Sequence, residues 1–417
     1  MSNTSKQNFI ETINHRQPEK VVVDLGSTHV TGIHSLIVAK LRDYYGLEKK
    51  PVKIIEPYQM LGEIDPDLIK EMNIDVIGLF GPKNMFSISN ENWKLHKTLW
   101  GQEVLFPANF NYTFNINGDI LMYPEGDTSL SPSAMMPKSG YFFDAIERQG
   151  PIDEKKLKIE DNLEEFGYVT ASDLVYWKTQ VDLLKRSDKA VIASIGGTAL
   201  GDIALVPGIG LRDPKGIRGV AEWYMSTLTR EQFIRELYDK QTDIAIENLK
   251  KIFAVIKNNI DAIVICGTDF GTQNSTFCSP ETYNHLWLPY YKKVNNWIHE
   301  TTTWKTFKHS CGAVESFIPL FIESGFDIIN PVQINASGMD SKLLKEKYGE
   351  SIVFWGGGVD TQGVFAFGKP EEVKNQVKRQ CEILNKKGGF VFNTVHNIQA
   401  NVPFENVVAM LDALKDL

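Results

Sequence analysis

Eight short apolar runs recur along this chain, and helix-prone segments follow most of them. They start near residues 20, 74, 190, 260, 304, 327, 352 and 390, as in Lys20-Val-Val-Val-Asp24, Ala190-Val-Ile-Ala-Ser-Ile195 and Ile352-Val-Phe-Trp355. Eight strand–helix units in succession favour an α/β fold of the (β/α)8 TIM barrel type over an open doubly wound sheet. No glycine-rich dinucleotide fingerprint follows the first run, which weakens the open-sheet alternative. Barrels often exceed the usual single-domain length, so residues 1–417 read as one barrel domain.

The rhythm breaks once. From 83 to 150 the chain carries Trp93, Trp100, the alternating Tyr112-Thr-Phe-Asn-Ile and an Asn117-Gly118 pair before Ile120-Leu-Met. Asn-Gly between alternating apolar runs is a strong hairpin signal. The region reads as a β-rich insertion after the second strand, with too few strands for a core of its own.

Composition excludes several function classes. The net charge is −8 and no basic run is present, so neither nucleic acid nor an anionic membrane surface is an expected partner. No apolar segment has the length of a membrane span. The N-terminal run, Met1 to Gln7, is polar with no apolar segment behind it, which argues against export. Cys266, Cys278, Cys311 and Cys381 lack the spacing of a disulfide framework, which fits a reduced, cytoplasmic setting.

In such barrels the site is built where strands end. The polar residues collected there are Asp24, Asp269 with Gln273, His309 with Cys311, Gln333, Asp360 and His396. His309 and Cys311 are two residues apart at the end of an apolar run, so on a strand both project to one face. The fifth and eighth strands face each other across a barrel mouth, which brings His396 within reach of the pair. Three nitrogen and sulfur ligands with an open position form the catalytic zinc pattern, and Asp269 or Asp360 could orient an imidazole or move a proton. The bland alternative stays open: a buried thiol beside a hydrogen-bonded core histidine. Asp24 and Asp360 also suit caps, and Asp269 suits a glycine-rich turn. Cys266 and Cys381 read as inert core sulfurs, and Cys278 as a loop cysteine.

The order of motifs resembles the uroporphyrinogen decarboxylase superfamily. The residues that carry the resemblance are Lys308-His-Ser-Cys-Gly312, Phe354-Trp-Gly-Gly-Gly-Val-Asp360, and Gly389-Phe-Val-Phe-Asn-Thr-Val-His-Asn-Ile398 with Pro403-Phe-Glu-Asn406. His15-Arg-Gln-Pro18 and Val22-Val-Asp24 look like the family's opening. The decarboxylase branch carries an arginine-rich segment after the first strand, whereas Asp24-Leu-Gly-Ser-Thr-His29 has no arginine to hold a polycarboxylate. The chain looks more like the corrinoid-dependent methyltransferase branch, some of whose members bind zinc through a His-x-Cys pair and a later Cys. His309 and Cys311 match the pair, and His396 stands where the later Cys would be.

The resemblance implies a methyltransferase working between a methylcorrinoid on a separate carrier protein and a small molecule, a thiol or tetrahydrofolate. Zinc would sit on His309, Cys311 and His396. Asp269, Asp360 and His396 would be the catalytic groups, with Asp24, Gln273 and Gln333 on the substrate. Two other readings stand beside it. One is a metal-free decarboxylase-like lyase of a small carboxylic acid, and the other is a non-catalytic barrel that binds a corrinoid or its partner protein.

Overall fold

The computed structural model describes residues 3–163, 166–415 and 417, so Met1 and Ser2 of the polar N-terminal run lie outside it. Eight strands form the central sheet: β1 (Val22–Val23), β2 (Val76–Phe80), β3 (Ala190–Ser194), β4 (Ala262–Cys266), β5 (Lys305–His309), β6 (Ile328–Asn330), β7 (Val353–Trp355) and β8 (Phe390–Phe392). Each strand from β2 to β8 pairs in parallel with the next, and β8 pairs with β1, so the sheet rolls into the expected (β/α)8 barrel. No ladder joins β1 to β2 among the described residues.

Aspartates close that seam and brace the same end elsewhere. The Asp75 N–H donates to Val23 O at 2.8 Å, and the Val23 N–H donates back to the Asp75 carboxylate at 3.0 Å. The clasp repeats with Asp261 and Val191 between β3 and β4, and with Asp327 and Thr306 between β5 and β6. A carboxylate at the start of β2, β4 and β6 thus continues the ladder where backbone pairing stops.

The barrel interior is filled by Val22, Val76, Ile192, Phe307, Ile328 and Trp355, all buried. A helix absent from the sequence reading, Ser5–Ile13, plugs the lower end, with Phe9 edge-on to Trp355 at 5.8 Å. Thr4 and Gln7 form its capping box, a local signal that was there to read. The helix Ala171–Leu184 also escaped sequence reading. It buries Trp177 and Val181 but leaves Val175 and Leu183 exposed, so no single apolar face marks it.

Two expected helices divide. The tract from Val220 breaks at Arg230 into Val220–Thr229 and Glu231–Ile256. The one from Pro280 breaks at Trp287, where Pro289 opens the second piece, Leu288–Thr301, and its ring excludes continuation of the first. Among the described residues, no helix is long and apolar enough to cross a membrane.

The β-rich region departs from the expectation in extent and independence. It begins before β2, because Val52–Glu56 and Leu61–Gly62 join Glu103–Phe106 and Lys94–Lys97 in one four-stranded sheet. A second sheet is an antiparallel meander of 112–114, 120–122, 134–136 and 144–145, and its first turn is the Asn117-Gly118 hairpin. Between them lies a separate hydrophobic cluster that includes Ile54, Phe86, Phe106, Phe110, Met122 and Phe143. Counting strands only after 83 hid this core.

Candidate metal centre at the barrel mouth

On β5 the side chains alternate, Phe307 and His309 into the barrel and Lys308 away from it. At the C-terminal end of the strand, His309 and Cys311 meet. Cys311 Sγ lies 3.4 Å from His309 Nε2, and the His396 ring approaches His309 with centroids 5.6 Å apart at 77°. Among the described residues, His309, Cys311 and His396 are the one group of such side chains whose donor atoms all lie within 4.8 Å of one another.

The tautomer of His309 follows from its neighbour. Asn330, the last residue of β6, donates through Nδ2 to Trp355 O at 2.9 Å, so its Oδ1 must face the imidazole. His309 Nδ1–H donates to that oxygen at 2.7 Å, which leaves the Nε2 lone pair aimed at Cys311. Burial holds His309 and His396 near a pKa of about 4, with Lys308 adding to the effect at His309 and each imidazole neutral at pH 7. Burial first, then Asp269, pushes the Cys311 thiol well above its ordinary value.

The donor set fits zinc. Two neutral imidazoles are already unprotonated, and the thiol gives up its proton when a cation replaces it. His309, with Nδ1 tied to an amide oxygen, has the buttress that a ligating histidine normally carries.

Backbone geometry sets the loop that bears Cys311. Gly312 has φ of +91°, and a Cβ there would lie 2.3 Å from the Gly271 backbone, so the loops after β4 and β5 touch only because both positions lack side chains. The Asp269 carboxylate accepts the Cys311 N–H at 2.7 Å and lies 4.0 Å from His309 Nε2. Burial raises its pKa, against the Cys311 hydrogen bond and Lys308.

Of the other expected site residues, Gln333 Oε1 accepts the Gly312 N–H at 2.7 Å and its Nε2 donates to Gln273 at 2.9 Å. Both glutamines therefore brace the Cys311 loop. Asp24 is fully buried behind the mouth, accepting from the Ser27 N–H and Trp355 Nε1, and burial raises its pKa to about 6. Asp360 stands on another loop, where it accepts from Asn335 Nδ2 and the Gln362 N–H. Sequence reasoning passed over Asn330, although it ends an apolar strand as the other site residues do. It also passed over Lys308, hidden by its neighbour His309.

The family profile described as uroporphyrinogen decarboxylase (URO-D) matches residues 158–417, more than half of the chain. The structure of a methyltransferase from Methanosarcina mazei superposes with a TM-score of 0.55 at 14% identity, covering 100% of this chain and 99% of that one. At that identity the likeness is one of fold. A GH113 beta-1,4-mannanase gives a TM-score of 0.27 at 10% identity over 59% of this chain and 80% of its own, too weak to carry an argument. No curated protein matches by sequence. By the profile match, this chain belongs to the uroporphyrinogen decarboxylase family.

Proposed function

We propose that this protein is a methyltransferase that moves a methyl group between a corrinoid held on a separate carrier protein and a small-molecule thiol or folate at the barrel mouth. The observation that carries the reading is the convergence of His309, Cys311 and His396, with His309 Nε2 freed by Asn330. The full-length likeness to a structure named a methyltransferase supports the choice within the family.

Zinc bound there supplies a Lewis acid that stabilises negative charge on a sulfur or nitrogen atom of the small molecule. The chain's own groups do the rest. Asn330 holds the His309 ring in place, and Asp269 anchors the Cys311 backbone. With its raised pKa, Asp269 is also suited to hold a proton beside the donor atoms. Gln273 and Gln333 brace the Cys311 loop.

The test is elemental analysis of protein purified without chelator, beside Cys311→Ser. About one zinc per chain is expected in the wild type and none in the variant. Demethylation of free methylcobalamin by a thiol should then follow the zinc content. A wild type that also refuses added zinc overturns the metal reading and favours transfer to a folate, which needs no thiol activation, or the metal-free carboxy-lyase, with the non-catalytic barrel left if no turnover appears.

A further inference from the structure

Lys308 is the residue the proposed chemistry does not use and the fold does not explain. It is fully buried. Its ammonium donates to Thr268 O at 2.6 Å and His309 O at 2.7 Å, and it meets Cys266 Sγ at 3.4 Å. The rings of Phe270, Tyr291 and Phe321 surround it at 5.1, 5.6 and 5.8 Å. Among the described residues, none of these partners is a carboxylate. A buried cation with no carboxylate in contact, and only the through-space charge of Asp202 and Asp269 to offset it, is costly, and apolar side chains of similar size usually serve stability as well or better. Stability is therefore a poor reason for a lysine here.

Its position suggests another reason. The β4–β5 ladder shifts register between Val264 and Cys266, and its last pair is Cys266 with Lys308. Bulges of this kind bend strands beside functional sites and end the pairing. Beyond that last pair, the two carbonyls that Lys308 joins come one from each side, Thr268 from the end of β4 and His309 from the end of β5. The next residue on the first side is Asp269. Two residues further on the second is Cys311, whose N–H donates to Asp269. The ammonium thus adds a cross-strand link where the ladder stops, beside the Phe270 N–H to Ser310 Oγ bond at 3.0 Å and directly behind the metal-ligand loop.

We propose that Lys308 is a positioning residue that holds the ends of β4 and β5 at the separation the Asp269–Cys311 contact and the donor cluster require. The contact itself is independent of any ion, and only the effect on metal affinity rests on the zinc reading above.

The test compares wild type with Lys308→Met, an unbranched neutral side chain suited to the aromatic cage. Both are labelled with 15N-cysteine, and amide exchange is followed without metal. Cys311 exchange should rise about tenfold or more, while Cys381, buried in an outer helix, keeps its protection and the melting temperature holds or rises. Zinc affinity, read by competition with a chromophoric chelator, should fall about tenfold. Unchanged Cys311 exchange overturns the proposal. So does a uniform rise at all four cysteines with a lowered melting temperature, because Lys308 would then serve global stability alone. If Lys308→Met does not fold, Lys308→Gln, whose shorter side chain cannot join both carbonyls, carries the same test. A wild type that takes up no zinc overturns the metal reading but leaves the exchange comparison intact.

Discussion

Aspartates stand at both ends of this barrel, in opposite surroundings. At the N-terminal end Asp75 lies 2.7 Å from Lys20, Asp261 lies 3.2 Å from Lys6, and Asp327 lies 2.8 Å from Lys305 and 2.7 Å from His299. At the C-terminal end Asp24 and Asp202 accept only neutral donors, and burial lifts both to about 6. Burial would raise Asp327 too, but His299 and Lys305 outweigh it and hold its carboxyl at about 2. One end uses its carboxylates as clasps with every valence satisfied. The other holds Asp24 and Asp202 on neutral donors with no cation in contact, an arrangement that costs stability.

The sharpest way to break this division is Cys311→Ser. Its expected effect is a loss of zinc affinity of at least about 100-fold, with metal-free stability within about 1 kcal/mol of wild type. A large loss of stability would make the mouth part of the scaffold. Next comes Asp327→Asn, which leaves Lys305 without its partner and weakens the β5–β6 clasp. It should cost about 2–3 kcal/mol at pH 7 in denaturant titration and leave zinc affinity alone. Reduced zinc affinity would show the two ends to be coupled.

The pH dependence should separate the ends as well. Asp327 has a folded pKa below its unfolded value of about 3.9, so its contribution is full above pH 4 and is lost as pH falls towards 2. Asp24 has a folded pKa above that value, so its burial penalty is present above pH 6 and is relieved as pH falls from 6 to 4. The stability of metal-free wild type relative to Asp24→Asn should therefore rise on the order of 2 kcal/mol between pH 7 and 4. Relative to Asp327→Asn it should stay level across that window and fall only below it. Parallel curves would refute the assignment. The smallest effect is expected from Asp360→Asn, since that carboxylate is held by Asn335 and Gln362. Zinc affinity should stay within about twofold.

Features set by neighbours in the chain were legible before any coordinates. The eight apolar runs and the Asn117-Gly118 hairpin follow from periods of two to four residues, and the two-residue spacing put Cys311 beside His309 at a strand end. The N-terminal plug was missed because nine residues with few apolar side chains carry little periodic signal, although Thr4 and Gln7 spelled its cap. The core of the β-rich region was missed because Ile54 and Met60 come from before β2, across a strand of the barrel itself.

By itself, then, the sequence determined a barrel with a His-x-Cys pair at one strand end, because alternation along a strand is local and steric. Only the tertiary structure decided that His396 completes the group and that Asn330 frees Nε2 of His309. It also decided that Asp269 holds Cys311 while Asp360 accepts from Asn335 and Gln362, and that Lys308 joins two strand ends. Each of these depends on which strands are neighbours and how far each runs. Sheet closure and burial set that, and no local period encodes it.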